Sequence, residues 1–199
     1  ENTAGNYVIT SATLDNHHAA TITFEVGDDA KGKVFKIKTG SGLEPVAHHI
    51  ADGIVTVKAF KAGELVLVTP TTKVSDIAKS GFRADIQTLL DRGIFTGYEG
   101  KFNPNNKMTG KQFSATLSRA LGLTPSGKDA QFYSSHNGAL DEFGILDASP
   151  YVNEEISREE AFTALGNLLA KNGVTTNIDL DATFKDVSHL SEESKQSLA

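Results

Sequence analysis

Several features that would mark a particular class of protein are missing from this sequence. Cysteine is absent and methionine occurs once, which excludes disulfides and thiolate metal sites. The lack of cysteine fits a cytosolic protein or a secreted one, so it does not fix the compartment. No apolar run approaches the roughly 20 residues that span a bilayer. We therefore expect no membrane span.

An excess of positive charge is also missing. The formal net charge is −6, with 6 basic and 8 acidic residues up to Thr72 and 13 and 17 after it. A nucleic-acid binder would show a cationic stripe that neutralises phosphates, so we expect no nucleic-acid partner. All four arginines lie after residue 80, whereas the first seventy residues are rich in Val, Thr and Gly. This shift predicts a boundary near Pro70.

The sequence carries no motif of a known catalytic centre. A nucleophile elbow, a P-loop and an H-E-x-x-H pair are all absent. The pairs His17-His18 and His48-His49 lie in a predicted β region, where adjacent side chains point to opposite faces and cannot chelate one ion through both rings. We therefore expect a non-catalytic protein that uses no metal and no cofactor.

The first seventy residues show the hydrophobic period of a β-sheet. Between Tyr7 and Val68, β-branched and aromatic residues alternate with polar ones in five or six short runs. Turn-forming clusters such as GDDAKGK, TGSG and KAGE separate these runs. Residues 1–70 are thus predicted to form a small antiparallel β-sandwich.

After a short PTT link the hydrophobic period becomes that of a helix. Residues 82–92 predict a first helix that ends at Gly93. The glycine-rich loop TGYEGKFNPNN follows. A second helix is then predicted to begin with a T-x-x-Q capping box at Thr109 and Gln112 and to end at Gly122.

A blurred copy of this unit follows about fifty residues later. It predicts a short helix at 136–143, a loop at 146–153 and a helix over 158–173 that begins with a second capping box at Ser157 and Glu160. The apolar face of that last helix carries Phe162, Leu165, Leu168 and Leu169. Repeated units of this kind must stack to bury their apolar faces.

A third unit begins near residue 183 and stops within its first helix. This incomplete unit, together with a start that lacks Met, suggests a piece of a longer polypeptide. Simple N-terminal processing is the alternative explanation for the start.

Two cations lie where the helix macrodipole disfavours them. Arg158 directly follows the Ser157 cap, and Lys111 lies two residues after the Thr109 cap. Binding of an anion by free backbone N–H groups and a guanidinium would offset this cost. The alternative is that Arg158 only pairs with neighbouring glutamates. Tyr98 and Tyr151, each in the loop before a capped helix, could stack on a sugar ring or pack in the core.

The order of these motifs resembles that of the S-layer homology (SLH) family of bacterial surface proteins. Repeats of that family read roughly F-x-D-V, an aromatic-led helix, G-Y-x-D-G-x-F-x-P, I-T-R-x-E and a helix that ends in L-G-L. The matching stretches here are VSDI (74–77), GYEGKFNP (97–104), MTGKQF (108–113), LGL (121–123), ISREE (156–160) and FKDV (184–187). The resemblance covers roughly residues 73–199.

The resemblance implies an α and β multi-domain architecture in which all-α SLH repeats follow the β-sandwich. Repeat 1 would occupy residues 73–123, a degenerate repeat 2 residues 124–173 and a truncated repeat 3 residues 183–199. The three repeats would form a pseudo-threefold bundle with grooves between neighbours.

The resemblance also implies an extracellular anchoring role at the cell surface or cell wall, through secondary cell-wall polysaccharide that is often pyruvylated. The residues that match the family's ligand positions are Arg158, Asp76, Asp186, Gly97, Tyr98 and Gly100. Lys111 is a displaced charge, because Gly110 stands where the arginine of the first repeat belongs. The alternative is a structural segment of a surface layer that self-associates and whose decayed repeats merely pack.

Overall fold

The computed structural model describes residues 7–10, 13–125, 132–145, 155–174 and 178–198. Within these ranges the strands come first and the helices second. The strands are β1 (Tyr7–Ile9), β2 (Ala20–Glu25), β3 (Val34–Thr39), β4 (Gly42–Pro45), β5 (Ala47–Ala51), β6 (Ile54–Ala59) and β7 (Gly63–Val68). The helices are α1 (Arg83–Asp91), α2 (Gly110–Leu121), α3 (Phe132–Phe143), α4 (Arg158–Lys171), α5 (Leu180–Thr183) and α6 (Glu192–Leu198).

The strands form two antiparallel sheets, with the orders β1-β7-β3-β4 and β2-β6-β5. Both sheets contribute to one buried hydrophobic cluster. Its members include Ile37 of β3, Val55 and Val57 of β6, and Leu65 of β7. The predicted antiparallel β region is confirmed.

Two strands were not predicted from the sequence. β4 and β5 follow a tight turn after β3 and contain few β-branched residues, so they lack the alternating pattern that marks the other strands. In β5, His48 is buried and His49 is exposed, as expected for neighbours on a strand. The His48 Nδ1 atom lies 2.9 Å from the Val46 carbonyl oxygen.

The helix boundaries follow local signals closely. Thr109 and Ser157 each form a complete capping box, at the starts of α2 and α4. Gly122 ends α2 in the left-handed conformation, at φ 71°. The predicted loop at 146–153, which contains Tyr151, lies outside the described residues.

Helices α2 and α3 share a hydrophobic core with the β region. Phe60, which directly follows β6, is buried in one cluster with Leu117, Leu140 and Phe143. The Phe60 and Phe143 rings meet edge to face, with their centroids 5.4 Å apart. The apolar faces of α2 and α3 are therefore covered partly by a β-region residue.

The predicted fold, a β-sandwich followed by all-α SLH repeats in a pseudo-threefold bundle with an incomplete third repeat, is wrong. The antiparallel β region is followed by a few helices, and the described helices do not form all-α repeats. Stacked repeats would bury the apolar face of α4, but Phe162, Leu165 and Leu169 are 46%, 38% and 52% exposed. The predicted residue boundaries of the separate units stay predictions.

α4 packs on α6 through small side chains. A Cβ atom placed on Gly166 would collide with the carbonyl oxygen of Ser197 in α6. The hydroxyls of Thr163 and Ser194 also meet across these helices, at 3.0 Å. Phe162, Leu165 and Leu169 lie away from these contacts, whereas Leu168 packs, partly buried, against the cluster of Leu117, Leu140 and Phe143.

Candidate functional site

A tight turn presents Tyr98 at the surface. The backbones of Tyr98 and Lys101 exchange two hydrogen bonds, of 2.8 and 2.9 Å. Between them Glu99 and Gly100 have positive φ angles of 48° and 71°, as in a type I′ hairpin turn. Tyr98 is 73% exposed.

Asp76 holds the chain that leaves this turn. Its two carboxylate oxygens accept hydrogen bonds from the backbone N–H groups of Phe102, at 2.8 Å, and Asn103, at 2.7 Å. The Phe102 bond, with that of Asn103, lowers the pKa of the Asp76 carboxyl. The Ser75 N–H donates to the Gly100 carbonyl oxygen at 3.0 Å. Asp76 therefore orders the loop, because both of its carboxylate oxygens bind backbone N–H groups.

Gly97 lies where the segment that enters the turn passes close to Lys101, which leaves it, and to Val74. Its φ angle is 67°, and an added Cβ would lie 3.0 Å from the Lys101 carbonyl oxygen and 3.3 Å from the Val74 side chain. A side chain at this position would combine a left-handed conformation with a close contact. Glycine is thus required by the shape of the loop.

A cleft of about 530 Å³ opens between this loop and α2. The described residues that line it are Phe95, Thr96, Gly97, Tyr98, Lys101, Phe102, Asn103, Pro104, Asn106, Lys107, Met108, Gln112, Ala115, Thr116 and Arg119. These residues include the cations Lys101, Lys107 and Arg119 and contain no aspartate or glutamate. The cleft therefore combines aromatic rings, amides and hydroxyls with an excess of positive charge.

A short ladder connects one rim of the cleft to the start of α4. Thr109 and Glu155 pair across an antiparallel bridge, and the Ile156 N–H donates to the Met108 carbonyl oxygen at 2.9 Å. The Lys107 Nζ atom lies 2.5 Å from Glu155 Oε2. The ladder brings the capped starts of α2 and α4 next to each other.

Arg158 and Lys111 lie near these helix starts and not among the residues that line the cleft. Arg158 is the exposed first residue of α4, and its guanidinium carbon lies 5.8 Å from the centroid of the Phe162 ring. No ion pair to Arg158 is formed within the described ranges. Lys111 is half-buried at the second position of α2.

The structure thus brings together only part of the predicted ligand set. Gly97 and Tyr98 line the cleft, while Asp76 and Gly100 support the turn. Asp186 is exposed between α5 and α6 and has no described contact with the cleft.

The cleft cations were missed by sequence reasoning. Arg119 lies seven residues after Gln112, so both occupy one face of α2, and Lys101 and Lys107 flank the FNP segment. That spacing was visible in the sequence, but the pairing of a loop with a helix face was not.

Two other classes of site were searched for. The described residues hold no group of three or more His, Asp or Glu side chains placed to bind a metal ion. None of the helices in the described ranges has the length and hydropathy needed to cross a bilayer.

Comparison with known proteins identifies the segment that carries the cleft. Residues 74–114 match the family model described as the S-layer homology domain. Domains of this family are non-catalytic modules that associate proteins with the cell wall and cell surface. No curated protein and no solved structure matches the chain. The chain thus contains a segment, residues 74–114, that matches the S-layer homology domain.

Proposed function

We propose that this protein anchors itself to the cell wall by binding an anionic secondary cell-wall polysaccharide in the cleft between the 95–108 loop and α2. The observation that carries the proposal is the charge of the cleft. Lys101, Lys107 and Arg119 contribute to its lining without an acidic residue among the described lining residues. A polymer that carries carboxylates suits such a surface.

The cleft also offers groups that suit a sugar ring. The exposed Tyr98 provides an apolar face with a hydroxyl at its edge, and Asn106, Gln112 and Thr116 add donors and acceptors. A pyruvyl group on the sugar would supply the carboxylate that a lysine or arginine binds. The native ligand is therefore proposed to be pyruvylated.

Arg158 would contact the same polymer further along. It lies at the start of α4, beyond the ladder that borders the cleft, and the backbone N–H groups of a helix start favour an anion. Lys111 lies one residue further into α2 than the place that corresponds to Arg158, which Gly110 occupies. A chain of several sugars would reach from Tyr98 toward these helix starts.

Co-sedimentation with purified bacterial cell-wall sacculi tests the proposal. The wild-type chain is expected to sediment with native sacculi and to remain in solution with de-pyruvylated ones. The double variant Lys101→Gln/Lys107→Gln is expected to lose about tenfold in affinity, because each lost charge contact removes up to about 1 kcal/mol of binding free energy. Lys31→Gln, an exposed change in the β region, is the matched control. Equal sedimentation of the double variant and the control would contradict the proposal.

The second candidate function is self-association as a structural segment of a surface layer. The observation that favours it is the exposed apolar face of α4, formed by Phe162, Leu165 and Leu169. Light scattering on a dilution series would show association that Phe162→Ser/Leu169→Ser abolishes. A monomer at every concentration would rule this candidate out.

A further inference from the structure

An ion pair at the rim of the cleft involves Lys107, one of the cations that the proposed ligand would contact. The Lys107 Nζ atom lies 2.5 Å from Glu155 Oε2, and the two side chains are 75% and 57% exposed. Hydrogen bonding to Glu155 raises the pKa of the Lys107 ammonium. Lys107 is thus fully charged, but one of its donors is already directed at a carboxylate.

Glu155 is held at this place by backbone pairing as well as by charge. It forms the bridge to Thr109, and the next residue, Ile156, donates its N–H to the Met108 carbonyl oxygen at 2.9 Å. A carboxylate fixed in this way stays near the ammonium at high local concentration. An anion from solution must compete with it for Lys107.

The exposure of the pair makes that competition possible. A displaced Glu155 carboxylate would be hydrated without a buried charge being left behind, because more than half of its side chain already faces water. The pair would therefore weaken the binding of an anion without preventing it.

We propose that Glu155 sets the affinity of the cleft by acting as an internal counter-ion of Lys107, which an anionic polysaccharide must displace. The inference rests on the proposed function, since it assigns a role beside the same cleft. Ligand binding in the wild-type protein exchanges one ion pair for another at Lys107. In the absence of Glu155 the ligand gains an uncompensated cation.

Glu155→Gln is the informative substitution, since the amide keeps the size and exposure of the side chain and removes its charge. The variant is expected to bind the polysaccharide released from sacculi about two- to fivefold more tightly in calorimetric titration, the range of an exposed ion pair. The slope of log K against log salt concentration should become steeper by up to about one, because one more cation is neutralised on binding. A purely structural role of Glu155 would not change that slope in this direction.

Two further variants complete the experiment. Lys107→Gln/Glu155→Gln should lose the gain, since the cation that Glu155 occupies is absent. Glu25→Gln, which removes an exposed acid at the end of β2, should bind like the wild type. Thermal unfolding of each variant establishes that it is folded.

The outcomes separate this inference from the proposed function. Binding by the wild type with equal or weaker binding by Glu155→Gln would overturn the inference and leave the proposed function in place. The absence of binding by both proteins would overturn both. Binding by Glu155→Gln alone would support the inference in its strongest form, in which Glu155 closes the wild-type cleft.

Discussion

Asn16 and Thr124, which are 108 residues apart, are joined by a reciprocal pair of hydrogen bonds. The Asn16 Nδ2 atom donates to the Thr124 carbonyl oxygen, and the Thr124 N–H donates to Asn16 Oδ1, each at 2.9 Å. The same Nδ2 atom donates to Glu142 Oε2 at 2.8 Å. A loop of the β region is thus fastened to the segment after α2 and to α3.

Replacement of Asn16 tests how strongly the two parts of the chain are coupled. Asn16 is 3% exposed, so Asn16→Ala would leave backbone groups of Thr124 without partners and cost about 2–3 kcal/mol of unfolding free energy. Urea unfolding measures this loss. The exposed Asn105→Ala serves as the control, and an equal, small effect of both changes would contradict the prediction.

Asp76 should control the order of the loop beside the cleft. Asp76→Asn removes one charged acceptor and is expected to speed amide hydrogen exchange at Phe102 and Asn103, whose N–H groups it binds. The matched control is Asp186→Asn, at the corresponding position of the FKDV motif. Unchanged exchange at Phe102 in the Asp76 variant would contradict the assignment.

The same carboxyl predicts a pH dependence for the loop. Its pKa is lowered from the usual 3.8 in the folded protein by the Phe102 and Asn103 amides. Asp76 therefore contributes stability that is complete above the unfolded pKa and is lost as the pH falls through the lower folded pKa. The chemical shifts of the two amides should titrate below pH 3.8, and a midpoint above this value would contradict the prediction.

His136 makes the helical part sensitive to acid. Burial, with the charges of Arg119 and Lys61, lowers the pKa of His136 from 6.5 to about 4. The unfolded chain therefore takes up a proton before the folded one, and stability should fall by up to about 3 kcal/mol as the pH drops from about 6.5 to about 4. Urea unfolding at about pH 7.5 and about pH 4.5 checks the sign. His136→Gln should lose less stability between these two pH values than the exposed control His17→Gln, and equal losses would contradict the prediction.

Two serines one turn apart on α2 should respond in opposite ways to the same change. Ser114 and Ser118 are both fully buried. The Ser114 hydroxyl has no hydrogen-bond partner among the described residues, whereas Ser118 Oγ lies 3.0 Å from His136 Nδ1. Ser114→Ala is expected to be neutral or stabilising, and Ser118→Ala to cost about 1–2 kcal/mol. Thermal unfolding compares the pair, and a greater loss in the Ser114 variant would refute this reading.

Much of the fold follows from interactions between near neighbours in the sequence. The capping boxes at Thr109 and Ser157 and the glycine that ends α2 depend on residues within one turn. The alternating pattern of the β region likewise identified five of its strands. The strands β4 and β5 were missed, because what makes them strands is pairing with β3 and β6 and not their own composition.

The candidate site was predictable only in part for the same reason. The glycine loop and Tyr98 are local features, so the motif located them. Lys107 and Glu155 are 48 residues apart, and no pattern in the sequence pairs them. The exposure of Phe162, Leu165 and Leu169 was also unexpected, since helical periodicity identifies an apolar face without saying whether another element covers it.

The sequence by itself determined that a β region precedes the helices, and it determined the capped helix starts, the glycine turn and the match of residues 74–114 to the S-layer homology domain. These depend on short-range backbone preferences, hydrogen bonds and hydrophobic period. Only the tertiary structure decided that Phe60 joins the helical core, that α6 packs on the glycine face of α4, and that Glu155 meets Lys107 at the cleft. Contacts of this kind depend on which distant surfaces fit each other, because burial and charge pairing act between neighbours in space.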